Sequence, residues 1–267
     1  MSEERDYFFE SQKEFEEKFN FVPKILNHVY ELNVEPRRTW ANLLFFRLAL
    51  MGNSLLSLCG PELSEDQRSA SYPMLDHSSI AALARNLLES LVMFLYITEP
   101  TVSEEEWLLR RAVLELHDCT NRYRVLKDLG DGDSDEAKEF RSKIDPLKST
   151  ISSHPDFQSL DPDRKKKLLT GQQLYVGGIG AAARAAGLDG DLFNGMYANL
   201  SLHMHCAPAS FYRSIDNPSE PMLATPSEYV YGVSAGALAY VTQPLGLACE
   251  RMFQLYPEVF SKAQIKH

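Results

Sequence analysis

The chain has 267 residues, 44% of them hydrophobic, which is enough to bury a sizeable core without disulfides or a structural metal. A formal net charge of −10 argues against a surface broadly attractive to nucleic acid, although an acidic protein can still carry a local basic groove. Cys59, Cys119, Cys206 and Cys249 lie far apart with no C-x-x-C pair, and no apolar run follows a basic start at the N-terminus, so a reducing, cytoplasmic setting is expected.

Helical periodicity dominates the chain, and strand signals are scarce. Arg37 to Cys59 reads as a long apolar-rich helix stopped by Gly60-Pro61. A second begins near Asp76 to Ser79, among cap-type residues, and runs to Thr98 before Pro100. Its segment from Ile80 to Thr98 has about the length of a membrane span. Arg85 and Glu89 in its interior each cost roughly 2.5–3.5 kcal/mol at a bilayer centre, so a soluble core helix with no membrane partner is expected.

Ser103-Glu-Glu-Glu106 has the capping-box pattern and opens a helix to about Leu129. A turn rich in glycine and aspartate leads into a charged amphipathic segment, Glu136 to Ser153, interrupted or ended by Pro146 and Pro155. Asp161-Pro162 starts a short helix bearing Arg164-Lys-Lys-Lys167, which reads as a solvated face. An alanine-rich helix and one from Asp189 to about His205 follow. Thr225-Pro-Ser-Glu228 combines a capping box and first-turn proline ahead of a long helix to Tyr256, kinked at Pro244. The expectation is one all-α domain over 1–267, a multi-helix bundle of seven to nine helices, with a mobile excursion at 130–170.

Gly178-Ile-Gly180-Ala-Ala-Ala183 matches a dinucleotide-binding turn in letters only. Its surroundings read as helix, whereas the fingerprint works where a strand feeds a helix, so no cofactor is expected. Metal motifs of the Glu-x-x-His and H-E-x-x-H types are absent. The His203-x-His205 pair diverges by about 200° on a helix, so no metal site is expected there either.

That divergence sorts the stretch Tyr197 to Pro208. Tyr197, Ser201 and His205 recur every four residues as one polar stripe, while His203 faces elsewhere and reads as a packing or surface residue. Arg85 and Glu89, four apart in the most apolar helix, must be paired or line a cavity, because an isolated buried charge is costly. They are either an ion pair at a helix contact or the far wall of a polar pocket facing Tyr197, Ser201 and His205, whose histidine could move protons. A third signal is Arg111-Ala-Val-Leu-Glu-Leu-His117. Its arginine could stabilise a phosphate and its histidine transfer a proton; the plain alternative is an exposed arginine and a half-buried histidine.

The patterns ARNLLESL (84–91) and YANLSLHMH (197–205) together resemble an all-helical family of uncharacterised, mainly bacterial proteins, in which an Arg-x-x-x-Glu helix and a Tyr-x-x-Leu-Ser-x-x-x-His helix recur. The resemblance spans about 37–213 and implies a fold and a residue set more than an activity. More remotely, Arg111 to His117 is similar to the Arg-x(4 to 6)-His motif of HEPN (higher eukaryotes and prokaryotes nucleotide-binding) helical domains, many of them metal-independent ribonucleases of toxin and antiphage systems that act as dimers. Only Arg111 and His117 carry over, with Ala112 where that family often has a polar residue. Two expectations stand. One is a small-ligand-binding or interaction protein, in a homodimer, with Arg85, Glu89, Tyr197, Ser201 and His205 as its site. The other is a ribonuclease of a stress or defence system, with Arg111 and His117 as catalytic pair.

Overall fold

The structure is a computed structural model and describes residues 3–29, 32, 34–60, 75–205, 207–212 and 227–260. These residues form an all-α protein with no strand among them. Twelve helical segments are described, two of them single turns of four residues. The remaining ten stand close to the seven to nine expected. Contacts divide the chain into two compact units: residues 1–98 with 191–267, and residues 99–190. The excursion expected at 130–170 falls inside the second unit.

The first unit begins with two helices that no sequence motif had singled out, α1 (Glu3–Phe19) and α2 (Phe21–Val29). Their buried residues follow helical spacing: Phe8, Ser11, Phe15 and Phe19, then Val22, Ile25 and Val29. Helix α3 (Pro36–Cys59) starts with a first-turn proline, and the Glu35 carboxylate accepts from the Arg37 and Arg38 amides at 2.6 and 3.1 Å. It stops at Gly60, whose φ of 69° suits a residue without Cβ. Asp76 caps α4 (His77–Ile97) by accepting from the amides of Ser78 and Ser79, both at 3.1 Å.

After the second unit come α10 (Gly190–Met204), the turn α11 (Pro208–Phe211) and α12 (Glu228–Leu255). The cap of α12 is Ser227, which accepts from the Val230 amide at 3.3 Å; Thr225 and Pro226, the expected capping pair, lie outside the described residues. The helix runs through Pro244, where the ring removes the amide that would have served the Tyr240 carbonyl, the place of the expected kink. Helix α12 packs on α1 and α4, and α4 packs on α3. Phe45, Leu48, Leu87, Leu91, Phe94, Leu238, Val241 and Leu245 fill this core.

Helices α3 and α4 are both long and apolar enough to cross a membrane, a test that core helices also pass. In α4, 61% of the most apolar window is buried within the protein, against 33% in α3, so α4 has the profile of a core helix.

The second unit pairs α5 (Glu104–Asp128) with α6 (Asp135–Ser153), followed by α7 (Pro155–Gln158), α8 (Pro162–Leu169) and α9 (Ile179–Ala185). Ser103 caps α5 as expected, accepting from the Glu106 amide at 3.1 Å. The other half of the capping box is diverted: the Glu106 carboxylate accepts from Arg110 at 2.6 Å, and Glu99 accepts from the same guanidinium at 2.8 Å. Arg110 is buried, and two carboxylates offset its desolvation. Pro146 sits inside α6 without ending it. Leu109, Val113, Leu116, Ile151, Phe157 and Leu168 form the core.

Candidate functional site

Helix α4 carries Arg85 and Glu89 one turn apart, and α10 carries Tyr197, whose phenol lies between them. Arg85 Nη2 donates to the Tyr197 oxygen, and that hydroxyl donates to Glu89 Oε1 at 2.7 Å. Arg85 and Glu89 also pair directly at 3.1 Å, and the guanidinium carbon lies 4.5 Å from the Tyr197 ring centroid. Burial first, then the bond to Glu89, pushes the Tyr197 phenol above its ordinary value, with Arg85 acting the other way. The neutral phenol can therefore accept and donate at once. Arg85 Nη1 reaches the Met204 sulfur at 3.2 Å, so one guanidinium holds α10 at two points, seven residues apart.

Ser201 is beside this network and spends its hydroxyl on its own helix, donating to the Tyr197 carbonyl at 2.6 Å. His205 is not brought in. Helix α10 ends at Met204, and His205 is exposed in the following turn, without a hydrogen bond among the described residues. The four-residue stripe assumed one more helical residue than the chain provides.

The histidine that is drawn inward is His203, read from the sequence as a packing or surface residue. It is 4% exposed, and its ring lies 5.7 Å from that of His77 and 5.8 Å from that of Tyr229. His77, 6% exposed at the start of α4, is 6.1 Å from Tyr229 and closes the triangle. Burial lowers the pKa of both imidazoles; for His203 the neighbouring His77 adds to the effect, while for His77 a bond with the Ser210 backbone and the Asp76 charge oppose it. Both rings are therefore held neutral.

The Tyr229 hydroxyl is 3.5 Å from His203 Nε2, but His203 Nδ1 and His77 Nε2 are buried without a partner among the described residues. Either tautomer of His203 leaves a ring nitrogen unsatisfied, as a donor or as an acceptor, at a cost of about 1–3 kcal/mol. Such an orphan calls for an explanation. One lies next to it: His203 lines a cleft of about 610 Å³ together with Asn199, Tyr212 and Tyr229. That volume falls within the range of small-molecule sites, roughly 300–1,000 Å³.

Sequence periodicity missed His77 and Tyr229 because each stands at the first turn of a different helix. Repeat spacing within one helix carries no information about which helix ends converge. The one available signal was that His203 shares α10 with Tyr197, six residues on.

In the second unit, Arg111 and His117 both stand on α5. They lie about 120° apart around α5 by helical geometry. Arg111 pairs with Glu115 at 3.0 Å and rests over the Trp107 ring. His117 is half-buried, and burial first lowers its pKa, opposed by Asp118 and reinforced by Arg124.

Residues 73–222, more than half of the chain, match a family of unknown function, DUF5677, and the protein belongs to that family. The matched span holds α4 and α10, and with them Arg85, Glu89, Tyr197, His77 and His203. Among curated proteins and among solved structures, none matches the chain.

Proposed function

We propose that this DUF5677 protein binds a small polar ligand in the cleft at His203, and that the Arg85–Tyr197–Glu89 network positions the helix that carries this histidine. The observation that carries the reading is the pair of buried, neutral imidazoles with orphan nitrogens beside a cleft of ligand size. A ligand hydroxyl, amide or ring nitrogen reaching His203 would supply the partner that its ring lacks among the described residues. Arg85 grips Tyr197 and Met204, which bracket Asn199 and His203 on α10, so the network fixes the register of the cleft wall. A catalytic ribonuclease built on Arg111 and His117 has less support, since Arg111 is already engaged by Glu115.

The test is thermal denaturation of the full chain against a broad metabolite library. A ligand present at about a hundred times its Kd stabilises by about 2.7 kcal/mol, a readily measured rise in Tm. His203→Phe, which keeps ring and burial, is expected to abolish that rise while folding normally. A library that yields no His203-dependent ligand overturns the reading.

A further inference from the structure

The cleft at His203 does not stop at Tyr229. A second cleft of about 510 Å³ runs on along α12 and shares Asn199, Tyr229 and Val233 with the first, so the two make one groove. Its floor is the bare backbone of Gly232 and Gly236, and Tyr240 closes the far end. From Tyr229 to Gly236 is seven residues, about 10 Å of helix.

The charges along this groove have one sign. Glu4 from α1 and Glu228 from α12 line it, and no lysine or arginine does so among the described residues. Neither carboxylate forms an ion pair among the described residues. Glu228 is also not required as a cap, since Ser227 already accepts from the Val230 amide. The aromatic faces of Tyr229 and Tyr240 complete a surface suited to positive charge on an apolar stem.

Resting on the ligand-binding reading above, we infer that the groove takes an organic amine: its ammonium over Gly232, between Glu4 and Glu228, its aliphatic stem along Tyr229 and Val233, and an uncharged polar end toward Asn199 and His203. The neutral state of His203 and His77 keeps repulsion of a cation out of the site. The glycines matter sterically. A Cβ at Gly232 would meet the Glu4 side chain at 3.9 Å, and one at Gly236 the Tyr240 ring at 3.8 Å. Both are ordinary contacts, so a methyl group fits the protein, and at Gly232 it takes the space of the ammonium beside Glu4.

Calorimetric titration of the full chain at low salt tests this with 1,6-diaminohexane and hexyltrimethylammonium as probes, against 1,6-hexanediol and adipate as neutral and anionic controls. At least one cation is expected to bind saturably and at least tenfold more tightly than either control. Glu228→Gln should weaken it about tenfold, Gly232→Ala likewise with no loss of Tm, and Glu104→Gln, an exposed acid at the start of α5, should leave it unchanged. Equal weakening by Glu104→Gln would mean diffuse attraction to an acidic protein and would overturn the proposal. So would tighter binding of diol or adipate, or no binding of either cation. A His203-dependent neutral or anionic ligand would overturn the amine class alone and leave ligand binding standing.

Discussion

At Tyr197 a single hydroxyl answers two charges. Tyr197→Phe removes the bonds to Arg85 and Glu89 but leaves their direct pair at 3.1 Å, so urea denaturation should show a loss of about 1–2 kcal/mol rather than the larger cost of stranding a buried charge. Burial of neutral His77 and His203 has a pH signature. Their folded-state pKa values lie below the ordinary 6.5, so the unfolded chain binds more protons in the window just below that value. Stability should therefore fall as pH drops below 6.5, by at most about 1.4 kcal/mol per pH unit for each proton taken up. The double variant His77→Gln, His203→Gln should flatten that slope in thermal melts between pH 7 and pH 5. His117 contributes a remainder of the same sign. Arg85 and Glu89 were legible in the sequence because charge inside an apolar helix is conspicuous. His203 was not, because its neighbours come from other helices and its burial depends on where α10 ends.

Helix boundaries were read well wherever local chemistry sets them. Gly60 ends α3, Asp76 opens α4, and Ser103 opens α5, each through a bond or a dihedral confined to a few residues. Helices α1 and α2 were not singled out by a motif, and packing against α12 and α3 gives their apolar spacing its meaning. Close approach between α1 and α3 is set by one residue. A Cβ at Gly52 would stand 2.3 Å from the Phe19 ring, itself buried. Gly52→Ala should thus destabilise by about 1–3 kcal/mol, although alanine favours an exposed helix by about 1 kcal/mol, and a chemical denaturation curve fixes the sign. Burial also silences one thiol on α3 and one on α12. The thiols of Cys59 and Cys249 are pushed up to about 12, so iodoacetamide at pH 8 should leave both unmodified in the native protein and alkylate them in guanidinium, as peptide mass spectrometry would show.

The fold class followed from composition and periodicity, because a helical period persists whatever the helices pack on. The division into two units did not, because residues 99–190 are as helical as their surroundings, and only the pattern of contacts sets them apart. Each unit has its own core, so Leu116→Ala should speed amide exchange across α5 and α6 more than across α4 and α12. One consequence concerns the order of events during synthesis. The partners α1 and α12 are separated by the entire second unit, so the apolar face of Phe8 and Phe15 must wait until residues 228–255 have left the ribosome. The contacts of the second unit close over fewer than a hundred residues and can form during that delay. The protein therefore has a nascent stage in which the inserted unit is folded and the N-terminal helices are exposed, a stage at which a chaperone for apolar helices has its opportunity.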